Sequence, residues 1–176
     1  MPITNFSSFA ENRNSAAAST DTGHLIANID LNDENRWVPY ADGVWVQPCS
    51  FNLSSGSFSL NVKALPGACL GVHSHVGSGQ GYTLNGHWGY LEYDWTAKPG
   101  SFIYEPPGEA HSLVIRDDSP ETAMIFFMIQ GGLIYLDKPV DGNFAAYEDA
   151  FSALELCRAH YGKIGRDLKE IEALVR

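Results

Sequence analysis

Short runs of β-branched and aromatic residues, separated by turn residues, dominate the sequence between residues 26 and 136. Each run is four to eight residues long, which suits a strand better than a helix. The clearest runs are residues 43–47, 57–62, 88–93, 101–104, 112–115 and 122–129. Strands at this spacing, with glycine, proline, asparagine and aspartate between them, predict an antiparallel sandwich or barrel.

A helical pattern follows the predicted strands. The apolar residues that recur at steps of three and four are Tyr147, Phe151, Leu154, Cys157 and Tyr161. They predict an amphipathic helix over residues 144–161, and a second short helix is predicted over 167–176. We therefore expect a flexible arm over 1–22, a barrel over 23–142 and a helical segment over 143–176. That segment would pack on the barrel or on a partner subunit.

Charge and cysteine content exclude several classes of protein. The chain has 11 Lys and Arg residues against 21 Asp and Glu residues, a formal charge of -10, which argues against binding to nucleic acid or to an anionic membrane surface. No apolar run approaches the roughly 18 residues that a membrane span needs, and no signal peptide is recognisable. Cys49, Cys69 and Cys157 form no CxxC pair, so we expect a reduced, cytoplasmic protein.

Two histidines are placed for metal binding. His73 and His75 are separated by one residue in a strand-like stretch, so both rings would project from the same face and can share an ion. A pair of hydrogen-bonded or exposed histidines is the simpler interpretation of such a pattern taken alone.

The surrounding residues strengthen the metal-site hypothesis. The first stretch has the form G-x5-H-x-H-x4-Q from Gly67 to Gln80, and the second has the form G-x5-P-x-G-x2-H from Gly100 to His111. Together they resemble the two signature motifs of the cupin superfamily. The usual ligand glutamate is replaced by Gln80 in this alignment, and the usual closing asparagine by Ile115.

Further segments are similar to the 2,4'-dihydroxyacetophenone dioxygenase family of cupins. The resemblance lies in residues 88–95, 99–101, 105–109, 147–149 and 156–161. It implies an all-β cupin-type jelly-roll barrel with C-terminal helices. It also implies a non-haem Fe(II) enzyme, with His73, His75 and His111 as ligands, that cleaves an aryl α-hydroxyketone with O2 to an aryl carboxylate and formate.

Three other side chains are candidates for the site. Glu105 lies six residues before His111 and would hydrogen-bond a ligand imidazole or take a proton from substrate, although a solvated strand glutamate is an equal alternative. Gln80 and Tyr93 are predicted to contact substrate; a plain loop glutamine and a core tyrosine are the alternatives. Three neutral imidazoles leave the full charge on a divalent ion, which favours an anionic, chelating ligand.

Two other functions compete with aryl ketone cleavage. One is different chemistry at the same site, such as a β-diketone-cleaving dioxygenase or a zinc hydrolase or isomerase. The other is a non-enzymatic, zinc-binding cupin with a sensory or regulatory role. Three histidines bind Fe, Zn, Ni and Cu alike, so the metal is open as well. The expected partners are a small aromatic ketone, O2 and a second copy of the chain, in a homodimer or homotetramer.

Overall fold

The computed structural model describes residue 25 and residues 27–176, and its strands follow the predicted runs. The predicted arm at 1–22 lies outside the described residues. The strands are β1 (Val38–Ala41), β2 (Val44–Asn52), β3 (Ser57–Ala64), β4 (His73–His75), β5 (Gly79–Asn85), β6 (Trp88–Tyr90), β7 (Phe102–Glu105), β8 (Ala110–His111), β9 (Leu113–Ile115), β10 (Ala123–Ile129), β11 (Leu133–Leu136) and β12 (Phe144–Glu148). A 3-10 turn (Glu34–Arg36) precedes them, and two helices follow, α1 (Ala150–Lys163) and α2 (Lys169–Glu172).

The strands form three antiparallel sheets around one core. The six-stranded sheet has the order β1-β2-β3-β10-β5-β7, the four-stranded sheet β12-β11-β4-β8, and β6 pairs with β9. All three sheets contribute to one buried apolar cluster, for example through Phe127, Leu133 and Trp88. This is a jelly-roll barrel with C-terminal helices, so the predicted all-β class and architecture are confirmed.

Strand β10 shows how an apolar run becomes a sheet centre. It pairs with β3 on one side and β5 on the other. Ile125, Phe127 and Ile129 point into the core, whereas Met124 and Phe126 on the opposite face are half-buried. The run reads as uniformly apolar because neither face of this central strand is fully solvated.

The C-terminal segment differs from the prediction at its start. Residues predicted to open a helix form β12 instead, paired with β11, and the helix begins at Ala150. Asp149 sets this boundary, because its carboxylate accepts hydrogen bonds from the backbone N–H groups of Phe151 and Ser152. The sheet region therefore extends to residue 148, beyond the predicted boundary at 142.

Helix α1 covers the barrel with one face, as predicted. Its buried residues are Ala150, Ala153, Leu154, Cys157 and Tyr161. The helix ends at Lys163, and Gly165 adopts a φ of +71° just beyond it, a conformation that glycine tolerates best. Leu154 and Tyr161 are thus part of the chain's own core and are not available to a partner subunit.

None of the helices among the described residues is long and apolar enough to cross a membrane.

Strand β12 is the most exposed strand of the fold. Within the part of the chain that the structure describes, it lies at the edge of its sheet, with β11 on one side, and four of its five residues are exposed. Phe144 and Tyr147 are 69% and 47% exposed, and Phe151 of α1 adds a third aromatic ring at 56%. An apolar edge strand with open backbone groups is a template for pairing with another chain. We propose that a second copy of the chain covers this surface.

The first prediction concerns this surface. We expect at least a dimer by light scattering at micromolar concentration, and the double variant Phe144→Lys/Tyr147→Lys should be a monomer, because it places charge on the contact. Phe102→Lys is the matched control, since Phe102 is 64% exposed on the edge strand of the other sheet. If the control variant is a monomer and the double variant is not, the contact between copies lies at β7 instead.

Candidate metal centre and its two cavities

Pairing of β4 with β8 brings the three motif histidines together. His73 and His75 are both buried and share one face of β4, and His111 lies directly opposite His73 on β8. The ring centroids are 4.8 Å apart for His73 and His111, and 5.3 Å apart for His75 and His111. One nitrogen from each ring lies within 4.8 Å of the others. The structure therefore places all three predicted ligands around one point.

The turn between β7 and β8 is held against β4 by a glycine. Gly108 has a φ of +88°, which favours glycine, and its N–H donates to the carbonyl oxygen of His75 at 2.9 Å. The second motif thus contributes more than His111, because its glycine aligns the strand that carries His111 with the strand that carries the other two histidines.

Burial keeps the imidazoles neutral, as metal ligands must be. It lowers the pKa of His75 to about 4 and that of His111 to about 3, with smaller contributions from neighbouring rings, and it also lowers the pKa of His73. His73 Nδ1 lies 2.9 Å from the carbonyl oxygen of Gly71, which fixes the ring and leaves Nε2 for an ion. Tyr90 stacks on the His111 ring at a centroid distance of 3.9 Å.

Glu105 completes the cluster from a neighbouring strand. Its carboxylate oxygens lie 3.5 Å from His75 Nε2 and 3.7 Å from His111 Nε2, and the residue is only 3% exposed. Burial raises the pKa of this carboxyl to about 8. A divalent ion beside it would favour the ionised form instead. Of the two interpretations of Glu105, the solvated strand residue is wrong.

The position of Glu105 depends on a glycine across the sheet. Gly79 on β5 pairs with Glu105 on β7, and a Cβ at Gly79 would overlap both Glu105 Oε2 and the His75 ring. The space that a β5 side chain would occupy is therefore taken by the Glu105 carboxylate. In this fold the carboxylate reaches the histidines from β7.

Gln80 does not take part in this arrangement. It follows Gly79 on β5, and the burial pattern of the strand alternates, so its side chain lies on the outer face opposite Tyr104. The motif alignment put Gln80 at the position of the usual ligand glutamate. In the structure the residue of β5 that faces the histidines is its neighbour Gly79. The structure thus corrects the prediction that Gln80 contacts substrate.

Buried polar atoms of the cluster that lack hydrogen-bond partners indicate a place for a cation. Among the described residues, His75 Nε2, His111 Nε2 and Glu105 Oε2 are buried without any hydrogen-bond partner. Buried polar atoms in native proteins nearly always have a partner, so a group of such atoms facing one point calls for an ion or a water. Three imidazole nitrogens with one adjacent carboxylate suit Fe, Zn, Ni or Cu.

Two cavities of different size meet at the cluster. An open cleft of about 420 Å³ adjoins His111 and Glu105 and is lined by aromatic residues that include Tyr90, Tyr93 and Trp95. A smaller cavity of about 40 Å³ lies inside the barrel and adjoins His73, His75 and Glu105. Tyr93, which was predicted to contact substrate, lines this cleft, and the contact itself stays a prediction.

Sequence reasoning missed several residues of the site. Neither Tyr90, which stacks on His111, nor Gly79, which leaves the space that Glu105 fills, was assigned a role from the sequence. Tyr135 pairs with His73 across β11 and β4, and its ring centroid lies 5.6 Å from that of His73. The spacing of these residues in the chain carries no signal of proximity, because each depends on cross-strand pairing.

Comparisons with known proteins agree with the fold. A family profile described as the ChrR cupin-like domain matches residues 29–133, more than half of the chain. Among curated proteins, none matches significantly.

Solved structures share the fold. An RmlC-like cupin from Ralstonia eutropha is 27% identical with a TM-score of 0.70, and the match covers 80% of this chain and 91% of that chain. An acetylacetone dioxygenase from Acinetobacter johnsonii is 18% identical with a TM-score of 0.66, covering 78% and 95%. The anti-sigma factor ChrR in complex with SigE from Rhodobacter sphaeroides is 13% identical with a TM-score of 0.51, covering 74% and 70%.

The second prediction concerns the three histidines. His111→Ala should lose most of the bound metal, because it leaves two nitrogens that cannot hold an ion tightly. His87→Ala is the control, since His87 lies outside the cluster. Metal content after purification, measured by mass spectrometry, checks this; full occupancy in His111→Ala would disprove the shared site.

The third prediction separates Glu105 from Gln80. Glu105→Gln keeps the size of the side chain but removes its charge, so metal affinity should fall about 10-fold to 100-fold, as for other residues that support metal ligands. Gln80→Ala should change the affinity less than about twofold, because Gln80 faces outward. Competition with a chelator measures both. Equal losses in the two variants would argue against the assigned faces of β5.

Proposed function

We propose that this chain, which belongs to the ChrR cupin-like domain family, is an Fe(II)-dependent dioxygenase that cleaves an aryl α-hydroxyketone. The products would be an aryl carboxylate, such as 4-hydroxybenzoate, and formate. The observation that carries the proposal is the meeting of a three-histidine cluster, a buried carboxylate and an aromatic cleft at one point.

The histidines would hold the metal and leave room for substrate. His73, His75 and His111 would supply three neutral nitrogens, so the ion would keep positions for the two oxygens of a hydroxyketone. When bound, the iron supplies the activation of O2 that side chains alone lack. The neutral rings also leave a positive charge that favours a deprotonated, chelating substrate.

Glu105 would handle the substrate proton. It adjoins both the cleft and the histidines, so an α-hydroxyl that reaches the cluster from the cleft meets its carboxylate. Glu105 would accept the hydroxyl proton and hold it on a carboxylate oxygen beside the histidines. Its 3% exposure keeps that proton from exchanging freely with solvent.

The aromatic cleft would select the aryl ring. Tyr93 and Trp95 present rings at an angle of only 20° with centroids 6.5 Å apart, and Tyr90 packs against both. A flat aryl group gains from packing on such faces. The volume of about 420 Å³ is in the range of small-molecule sites. The cleft therefore favours an aromatic ketone over a small aliphatic one.

Two other functions have their own support. The acetylacetone dioxygenase neighbour points to β-diketone cleavage, whose substrate also chelates through two oxygens. The family and the anti-sigma ChrR neighbour, which was solved in complex with SigE, favour a regulatory cupin, whose partner would be a protein. The aromatic cleft beside Glu105 favours the aryl ketone over both.

The fourth prediction tests these functions together. Anaerobically purified protein should contain iron and should consume O2 in an electrode on addition of 2,4'-dihydroxyacetophenone, with formate released in equal amount. Faster uptake with acetylacetone would instead support β-diketone cleavage. Zinc without uptake on either compound would support the regulatory cupin and overturn the dioxygenase.

A variant pair ties that activity to the cleft. Tyr93→Ala should raise the KM for the aryl ketone up to about tenfold, since an aromatic contact contributes roughly 0.5–1.5 kcal/mol beyond its buried area. Tyr82→Ala is the control, because Tyr82 has similar exposure but lies on the outer face of β5. Equal effects of the two would remove Tyr93 from the substrate site.

A further inference from the structure

The cavity inside the barrel is separate from the substrate cleft. It adjoins His73 and His75, whereas the cleft adjoins His111, and Glu105 borders both spaces. A ligand in one space therefore reaches the cluster from a different side than a ligand in the other.

The inner cavity is too small for an aryl ketone. Its volume is about 40 Å³, far below the roughly 150 Å³ of an apolar cavity that accepts benzene. It has room for one diatomic molecule or for a few waters, since a water needs about 10–15 Å³ measured in this way. Size alone thus restricts the occupant to a very small molecule.

The walls of the cavity are apolar. Its side walls include Val46, Phe58, Val62, Leu113, Phe127 and Ile129. They come from both sides of the barrel and carry no group that could hydrogen-bond a water. Away from the end bordered by His73, His75 and Glu105, walls of this kind favour apolar atoms such as xenon over water.

The polar side chains at the far end of the cavity hydrogen-bond to one another. Tyr135 and Tyr40 share a hydrogen bond, and Tyr40 donates to Glu148. These three side chains come from β11, β1 and β12, so they join separate strands across that end. Each hydroxyl is already engaged by a neighbour, which leaves little to bind a water in the cavity.

We propose that the inner cavity, called the chamber from here on, is a binding site for a small apolar gas, with dioxygen as the ligand. The cavity alone supports the existence of a gas site. The identification of the gas as dioxygen rests on the proposed function. Because the chamber and the cleft adjoin different histidines, dioxygen would reach the cluster without displacing the chelated ketone. The apolar walls would raise the local concentration of dioxygen next to His73 and His75.

Xenon tests the chamber without any turnover. Crystals of the metal-loaded full chain under xenon pressure should show a xenon atom between Val46, Val62 and Ile129. Val46→Ile adds one methylene to the chamber wall and should reduce xenon occupancy at least threefold. Val44→Ile is the matched control, since it adds the same group on the same strand at a buried position away from the chamber.

Kinetics supply a second readout. In Val46→Ile the KM for O2 should rise at least threefold, with metal content and the KM for the ketone unchanged. Absence of xenon from the wild-type chamber, or ordered waters filling it, would overturn the inference even if O2 uptake with the ketone is found. Xenon binding without such uptake would leave the gas site standing and overturn cleavage of the aryl ketone.

Discussion

The antiparallel pairing of β4 with β8 is the contact on which the site depends. It places His73 opposite His111, and the strand period of two places His75 on the same face as His73. Shifting β8 by one residue would turn His111 to the other face and dissolve the cluster. The hydrogen bond from Gly108 to His75 fixes this register, so the turn before β8 is as important to the site as the ligands themselves.

Burial determines the chemistry of the groups that this register collects. The imidazoles are kept neutral and the Glu105 carboxyl is kept protonated near neutral pH when no cation is present, because charge is costly among apolar walls. A divalent ion reverses the balance for Glu105 and uses the neutral nitrogens as they are. The same walls that disfavour isolated charge therefore prepare a site for one cation.

The fold also divides the surroundings of the cluster into two spaces of unequal size. Edge strand β7 and the residues after β6 leave an open aromatic cleft on the side of His111. The barrel interior leaves a small apolar cavity on the side of His73 and His75, bordered at its other end by the hydrogen-bonded side chains of Tyr40, Tyr135 and Glu148. The proposed reaction, which joins a chelating ketone with dioxygen, would use one space for each reactant.

The sequence by itself determined the strand-rich architecture and the three histidines. The predicted runs between turn residues became strands. The two motifs identified His73, His75 and His111, and the fold brings these three residues together. These signals are local, so they can be read along the chain. The start of α1 was misjudged because an apolar period does not tell a strand from a helix over a few residues, and the cap at Asp149 decided it.

Only the tertiary structure decided which side chains surround the histidines. Gly79 and Glu105 meet across β5 and β7, Tyr90 reaches His111 by ring stacking, and Gln80 is turned outward by one residue of strand alternation. Each of these depends on register between strands distant in the chain. The packing of the whole barrel sets this register, so a local pattern in the sequence does not predict it.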